Sequence, residues 1–116
     1  MKREDFIAAM TARNPVQVNL SCGVAHVMPL TRAQFDKCTE LAAKMQQDNM
    51  NPARAGALRW YAIKTAWVDE SGNPILTDED RDVFDKFSAA DTERLFSKIL
   101  DVSAVEKEDR DFLSKG

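Results

Sequence analysis

A mainly α domain with an N-terminal β-hairpin is the fold this sequence predicts, and three observations carry it. Amphipathic stretches with apolar residues three and four apart recur through most of the chain. One short region, 16–28, alternates apolar and polar residues with period two instead. Pro, Gly and Asn stand at the boundaries between these stretches. The 116 residues suit one helical domain, 1–116, which buries roughly two thirds of its unfolded surface, enough for a core without metal or disulfide.

Residues 2–12 place Phe6, Ile7 and Met10 at i, i+1 and i+4 behind Glu4 and Asp5, and Asn14-Pro15 blocks continuation, so a short helix is expected. Val16-Gln17-Val18-Asn19-Leu20 alternates, Gly23 interrupts, and Val24 to Met28 follows, which predicts a hairpin ended by Pro29. Two strands alone are marginal in water, so this hairpin must pack on helices or add to a sheet edge in another copy. Helices fill 31–114. Thr31-Arg32-Ala33-Gln34 has capping-box form, with Leu30 and Phe35 placed as a hydrophobic staple. The helix it opens carries Phe35, Cys38, Leu41, Ala42 and Met45 on one face and runs to about Met50. Asn51-Pro52 then offers a capping residue and a first-turn proline for a helix expected to continue through Val68.

Gly72-Asn73-Pro74 reads as a turn, Ile75-Leu76 as a docking pair, and Thr77-x-x-Asp80 and Ser88-x-x-Asp91 as acidic helix starts that suit the positive end of a helix dipole. Val83, Phe84 and Phe87, then Leu95, Phe96, Ile99 and Leu100, make two buried stripes, on two helices or one bent one. A last helix over 104–114 centres on Phe112 and Leu113.

No long apolar stretch follows Met1-Lys2-Arg3-Glu4-Asp5, so neither a signal core nor a membrane span is expected, and the chain reads as cytosolic. Cys22 and Cys38 then read as buried or idle thiols rather than a disulfide. Charge is polarised along the sequence: 1–64 hold nine Lys/Arg against five Asp/Glu (+4), and 65–116 hold seven against fourteen (−7). Two readings stay open, solvated faces or basic and acidic ends of neighbouring copies attracting head to tail. The bases are scattered, with no aromatic-interleaved basic patch, which argues against nucleic acid.

Motifs for catalysis are sparse. His26 is the sole histidine, Cys22 lies four residues away on the expected hairpin, and no Gly-x-Ser-x-Gly elbow exists. Cys22, His26 and Cys38 lack a fourth soft ligand for zinc and any Cys-x-x-Cys pair. Asp69, Ser71, Asn73 and Asp80 fall at positions one, three, five and twelve of a calcium loop, but Pro74 stands where glycine is required. Asp78, Glu79, Asp80, Asp82 and Asp85 are explained as a helix start without a metal. No catalytic residue, cofactor or metal site is therefore assigned. What remains is apolar: Trp60, Ile63 and Trp67 on one expected helix face, with Tyr61, Thr65 and Val68 beside it, more than a surface helix requires. Core on both sides explains that excess, or a partner met by Trp60, Tyr61 and Trp67 with adaptable methionines such as Met45 and Met50.

The order of pieces carries a resemblance. A hairpin leads into Met28-Pro29-Leu30-Thr31 and a helix; an arginine-bearing helix ends at Asp69-Glu70-Ser71-Gly72; Thr77-Asp78-Glu79-Asp80 and Ser88-Ala89-Ala90-Asp91-Thr92-Glu93-Arg94-Leu95-Phe96 follow. Over residues 16–100 this resembles the tail assembly chaperones of long-tailed, siphovirus-type bacteriophages, in their short form. The resemblance implies a mainly helical non-enzyme in the host cytoplasm, absent from the mature virion. It implies binding to the tape measure protein, kept soluble while tail tube subunits assemble around it, with the tube protein recruited through a longer frameshifted form. A homo-oligomer is expected, with several copies along the tape measure helix. The alternatives are an unrelated helical adaptor domain, or a metal-dependent enzyme using His26 and the acidic cluster.

Overall fold

The structure, a computed structural model, describes residues 1–47 and 52–115. Its elements follow the chain as α1 (Arg3–Thr11), β1 (Val16–Leu20), β2 (Gly23–Val27), α2 (Arg32–Gln47), α3 (Pro52–Ala66), β3 (Trp67–Val68), a 3-10 turn (Asp78–Asp80), α4 (Arg81–Phe84), α5 (Ala89–Val102) and α6 (Lys107–Lys115). The domain is mainly α with an N-terminal hairpin, as the patterning predicts. Met50 and Asn51 lie outside the described residues, and Pro52 opens α3.

One strand was not expected. α3 stops at Ala66 rather than running through Val68, and Trp67–Val68 pairs antiparallel with β2, His26 opposite Val68 and Val27 opposite Trp67. The order is β1-β2-β3, with Val18 opposite Ala25 in the first pair. The helix gives way because Asp69 to Asn73 folds the chain back. The Asp69 carboxylate accepts the Ser71 and Asn73 N–H groups at 2.8 and 3.0 Å, and Gly72 takes φ +89°, a conformation L side chains rarely adopt. Ile75 N–H then bonds Trp67 C=O, and Met28 N–H bonds the last helical carbonyl at Ala66.

The Thr31 boundary forms as read. Thr31 N–H donates to Gln34 Oε1 at 2.9 Å and Gln34 N–H to Thr31 Oγ1 at 3.2 Å, the reciprocal pair of a capping box. Arg13 holds the preceding loop by donating to the Pro29 carbonyl through Nε and Nη2. The Ser103 hydroxyl reaches the same loop, accepting from Leu30 N–H and donating to Ile99 C=O.

Two apolar clusters flank α3. One joins the sheet to α3 and α5 through Val18, Ala25, Val27, Ile63, Leu95 and Ile99; the other joins α2, α3, α5 and α6 through Cys38, Ala42, Leu58, Phe96, Leu100 and Leu113. Each fully buried Leu or Ile contributes roughly 1.5–3 kcal/mol relative to exposure, so both clusters hold the fold. The stripe on α5 is buried as its spacing predicts, and on α2 Cys38, Ala42 and Met45 are buried with Phe35 and Leu41 half-buried, while two apolar residues outside these helices depart from expectation. Val83 is 49 % exposed and Ile75 44 %, because α4 is a single turn that presents only Phe84 inward and the extended pair docks only Leu76.

At the end of α5, Val105 N–H reaches Leu100 C=O at 3.3 Å and Ala104 N–H reaches Asp101 C=O at 3.1 Å. This is a Schellman closure, and its left-handed position is held by Ala104 at φ 53° instead of glycine.

Candidate partner-binding surface

α3 is apolar around most of its girth because it has core on both sides. Trp60 leans on the sheet-side cluster, while Tyr61 packs on the α2–α6 side. The expected shared face of Trp60, Ile63 and Trp67 does not exist, since Trp67 has left the helix. Both tryptophans and Tyr61 are half-buried. Met45 is 1 % exposed, a core residue with no surface to offer a partner.

The aromatics form a continuous chain instead. Trp60 meets Phe84 at 5.4 Å between ring centroids, Phe84 meets Phe87 at 5.5 Å, and Phe87 meets Trp67 edge-on at 6.1 Å. Such tilted pairs add about 0.5–1.5 kcal/mol beyond area burial. At the Trp60 end two cations lie over the rings: Lys64 is 5.9 Å from Trp60 and 6.0 Å from Tyr61, and Arg81 is 5.8 Å from Trp60 and 5.7 Å from Phe84. Carboxylates steer both, Asp78 bonding Lys64 at 2.6 Å and Asp85 bonding Arg81. Gly56, one turn before Trp60, leaves room for Arg81, whose Nη2 would stand 3.2 Å from a Cβ there.

At the Trp67 end the chain of rings opens into a cleft of about 370 Å³ under the hairpin tip, walled by Leu20, Trp67, Phe87 and Leu95, with Cys22 and Thr92 at its edge. Asp91 closes one side. Its N–H caps on the Ser88 hydroxyl, but its carboxylate crosses to the hairpin, accepting Ser21 N–H at 3.0 Å and the Ser21 hydroxyl at 2.5 Å. The Ser21 hydroxyl and N–H, with Arg94 at 2.8 Å, hold this carboxyl below the usual carboxylate range against the opposing effect of burial. The Ser88-x-x-Asp91 spacing predicts the helix start, which forms, but not this tie, which spans seventy residues. No local signal carries it.

The other candidate residues are apart. His26 sits half-buried in β2; Cys22 is exposed at the hairpin tip; Cys38 is buried in the α2–α6 cluster, where burial pushes its thiol up to about 11. In the acidic run Asp78 pairs with Lys64, Asp80 caps Thr77 N–H at 2.8 Å, and Asp85 pairs with Arg81. The Asp69 carboxyl is lowered by the N–H groups of its own turn, Asn73 foremost, and does not share a site with Asp80. Among the described residues no group of three or more His, Cys, Asp or Glu is arranged to hold a metal, and no helix is long and apolar enough to cross a membrane. The +4/−7 polarity is partly closed within the chain, since Arg59 and Lys64 from the basic half bond Glu93 and Asp78 from the acidic half. Compared with known protein families, curated proteins and solved structures, the chain matches none.

Proposed function

We propose that this protein is a tail assembly chaperone of a long-tailed bacteriophage, which binds the tape measure protein and keeps it soluble while tail tube subunits assemble around it. The observation that carries the reading is the order of motifs over residues 16–100, from the hairpin and Pro29-Leu30-Thr31 through the Asp69–Gly72 turn to the Ser88–Phe96 segment. Its support in the geometry is the cleft of Leu20, Trp67, Phe87 and Leu95, an apolar recess rimmed by polar groups, the kind of surface that accepts side chains of an amphipathic helix. In this mechanism the large apolar side chains of the tape measure helix enter that recess, and no covalent step occurs. The protein works in the host cytoplasm as several copies along one tape measure chain, leaves before the virion is complete, and meets the tube protein through a longer frameshifted form.

Co-expression with segments of the tape measure protein that this reading requires tests it. Soluble co-purification of a segment that is insoluble alone is the expected result. Continued insolubility with several segments would move the protein to the adaptor class. Within a working complex, Trp67→Ala should weaken binding more than Trp60→Ala or Tyr61→Ala, because Trp67 alone of the three lines the recess.

A further inference from the structure

The sheet has two edges, and the chain closes one of them. Along β3, Ile75 N–H bonds Trp67 C=O and Val68 bridges Pro74, so the returning loop covers that side. β1 forms the other edge. Its hairpin turns through Ser21 and Cys22 with Leu20 facing Gly23, so Leu20, Val18 and Val16 bond β2 while Gln17 and Asn19 turn their N–H and C=O groups outward. Among the described residues nothing bonds those outward groups.

Free edges of this kind are normally blunted by a charge, a bulge or a proline within the strand. β1 has none of these. Its register with β2 runs unbroken from Val16 to Leu20, and the chain from 14 to 31 holds no Asp, Glu, Lys or Arg, although such residues make up 30 % of the sequence. At the hairpin tip Asp91 takes up Ser21 N–H and is itself paired with Arg94. Pro15, at the opposite end, has no N–H to offer. The open part of the edge is therefore Gln17 to Asn19, with one donor and one acceptor on each side of Val18.

A set placed symmetrically in this way is complementary to itself. We propose that β1 pairs antiparallel with β1 of a second copy across a two-fold axis at Val18, making one six-stranded sheet in the order β3-β2-β1-β1-β2-β3. Gln17 of each copy faces Asn19 of the other, and each facing pair exchanges two backbone hydrogen bonds, which uses every outward group. The exposed amide side chains of Gln17 and Asn19 meet on the outer face, while on the inner face Val16 meets Leu20, both half-buried in the single chain. With no formal charge from 14 to 31, two identical strands meet without like-charge repulsion. A short strand pair covers less than the roughly 800 Å² per partner of a stable interface, so the dimer forms at high protein concentration and separates on dilution. The pairing needs no tape measure protein and stands without the chaperone reading.

Sedimentation of the full chain from low to high micromolar concentration tests the pairing, with backbone amide exchange followed by NMR across the same range. The wild type should pass from monomer to dimer, and exchange at the Gln17 and Asn19 N–H groups should slow by about tenfold or more as it does. Gln17→Lys with Asn19→Lys, and Gln17→Glu with Asn19→Glu, should each weaken dimerisation by about tenfold at unchanged circular dichroism, because both positions are exposed and like charges then face each other. Mixing these two variants should restore the dimer, since each lysine then faces a glutamate. A wild type that stays monomeric at high micromolar concentration overturns the proposal, as does a dimer whose Gln17 and Asn19 N–H groups exchange freely. Failure of the mixed pair to recover also overturns it, because antiparallel pairing centred on Val18 sets position 17 against position 19.

Discussion

Replacing Ala104 by glycine should stabilise the protein, against the usual rule that removing a methyl group costs stability. Ala104 is exposed, so the substitution forfeits no burial, and its φ of 53° is left-handed. An L residue in that region carries roughly 1–2 kcal/mol of steric strain, which glycine does not. Glycine also gives the unfolded chain more freedom, which takes back about 0.4–1 kcal/mol. The difference is a net gain of roughly 0–1.6 kcal/mol, about 0.8 at the middle of both ranges, which corresponds to roughly 3–5 °C in thermal midpoint for a domain of this size. The two closing bonds, Val105 to Leu100 and Ala104 to Asp101, are backbone bonds that glycine keeps. Paired urea and thermal melts of wild type, Ala104→Gly and Ala104→Val measure it. Valine, β-branched, should be the least stable of the three. A lower midpoint for glycine, or valine equal to alanine, would refute the argument that the α5–α6 corner holds strain.

Ile99→Ala, at a side chain with no exposure in the sheet-side cluster, should cost about 2–5 kcal/mol in urea unfolding free energy, and a cost near zero would mean the cluster is not the core. Asp91 has a lowered folded pKa, so its contribution is fully present above the unfolded carboxyl value of about 3.9 and is lost as pH falls through the lower folded value. Asp91→Asn should therefore be less stable than wild type at neutral pH, with the gap closing in strong acid; a gap independent of pH would remove the ionised carboxylate from the hairpin tie. A thiol reagent should modify one cysteine quickly in the native protein, Cys22, and reach Cys38 only on unfolding, because burial keeps that thiol protonated. Two fast thiols would contradict the placement of Cys38.

The parts that sequence predicts well are local. Thr31 and Gln34 are three residues apart and cap each other, and the stripes of α2 and α5 repeat within a few turns, so neighbours in sequence are neighbours in space. Trp67 and Val68 fit the α3 periodicity as far as letters go, and are strand because His26 and Val27 lie beside them, some forty residues back in the chain. Aromatic and β-branched residues ahead of an Asp-x-x-Gly turn are the signal that favours a strand there. Tyr61 and Trp60 read as an excess for the same reason: a helix between two clusters needs two apolar faces, and the second cluster depends on α6 packing against α2. The recess beside Trp67 was not legible because its walls come from β1, β3, the α4–α5 turn and α5.

That composite origin governs how binding should be tested. Trp67 lines the recess, packs on the sheet-side cluster and meets Phe87 edge-on, so Trp67→Ala removes a binding wall and part of the core together. Weakened tape measure binding in that variant, taken alone, does not separate contact from packing. Thr92 does separate them. It lies on α5 at the edge of the recess, and its only side-chain hydrogen bond among those described is local, to the Ala89 carbonyl. Thr92→Arg leaves every aromatic pair in place, exchanges a β-branched residue for a better helix former, and sets a long charged side chain across the opening. The thermal midpoint should stay within a few degrees of wild type while affinity for the tape measure segment falls by about tenfold or more. Full affinity in Thr92→Arg, joined to loss in Trp60→Ala, would place the contact at the other end of the aromatic chain, where Lys64 and Arg81, each already paired with a carboxylate of this chain, cover the rings.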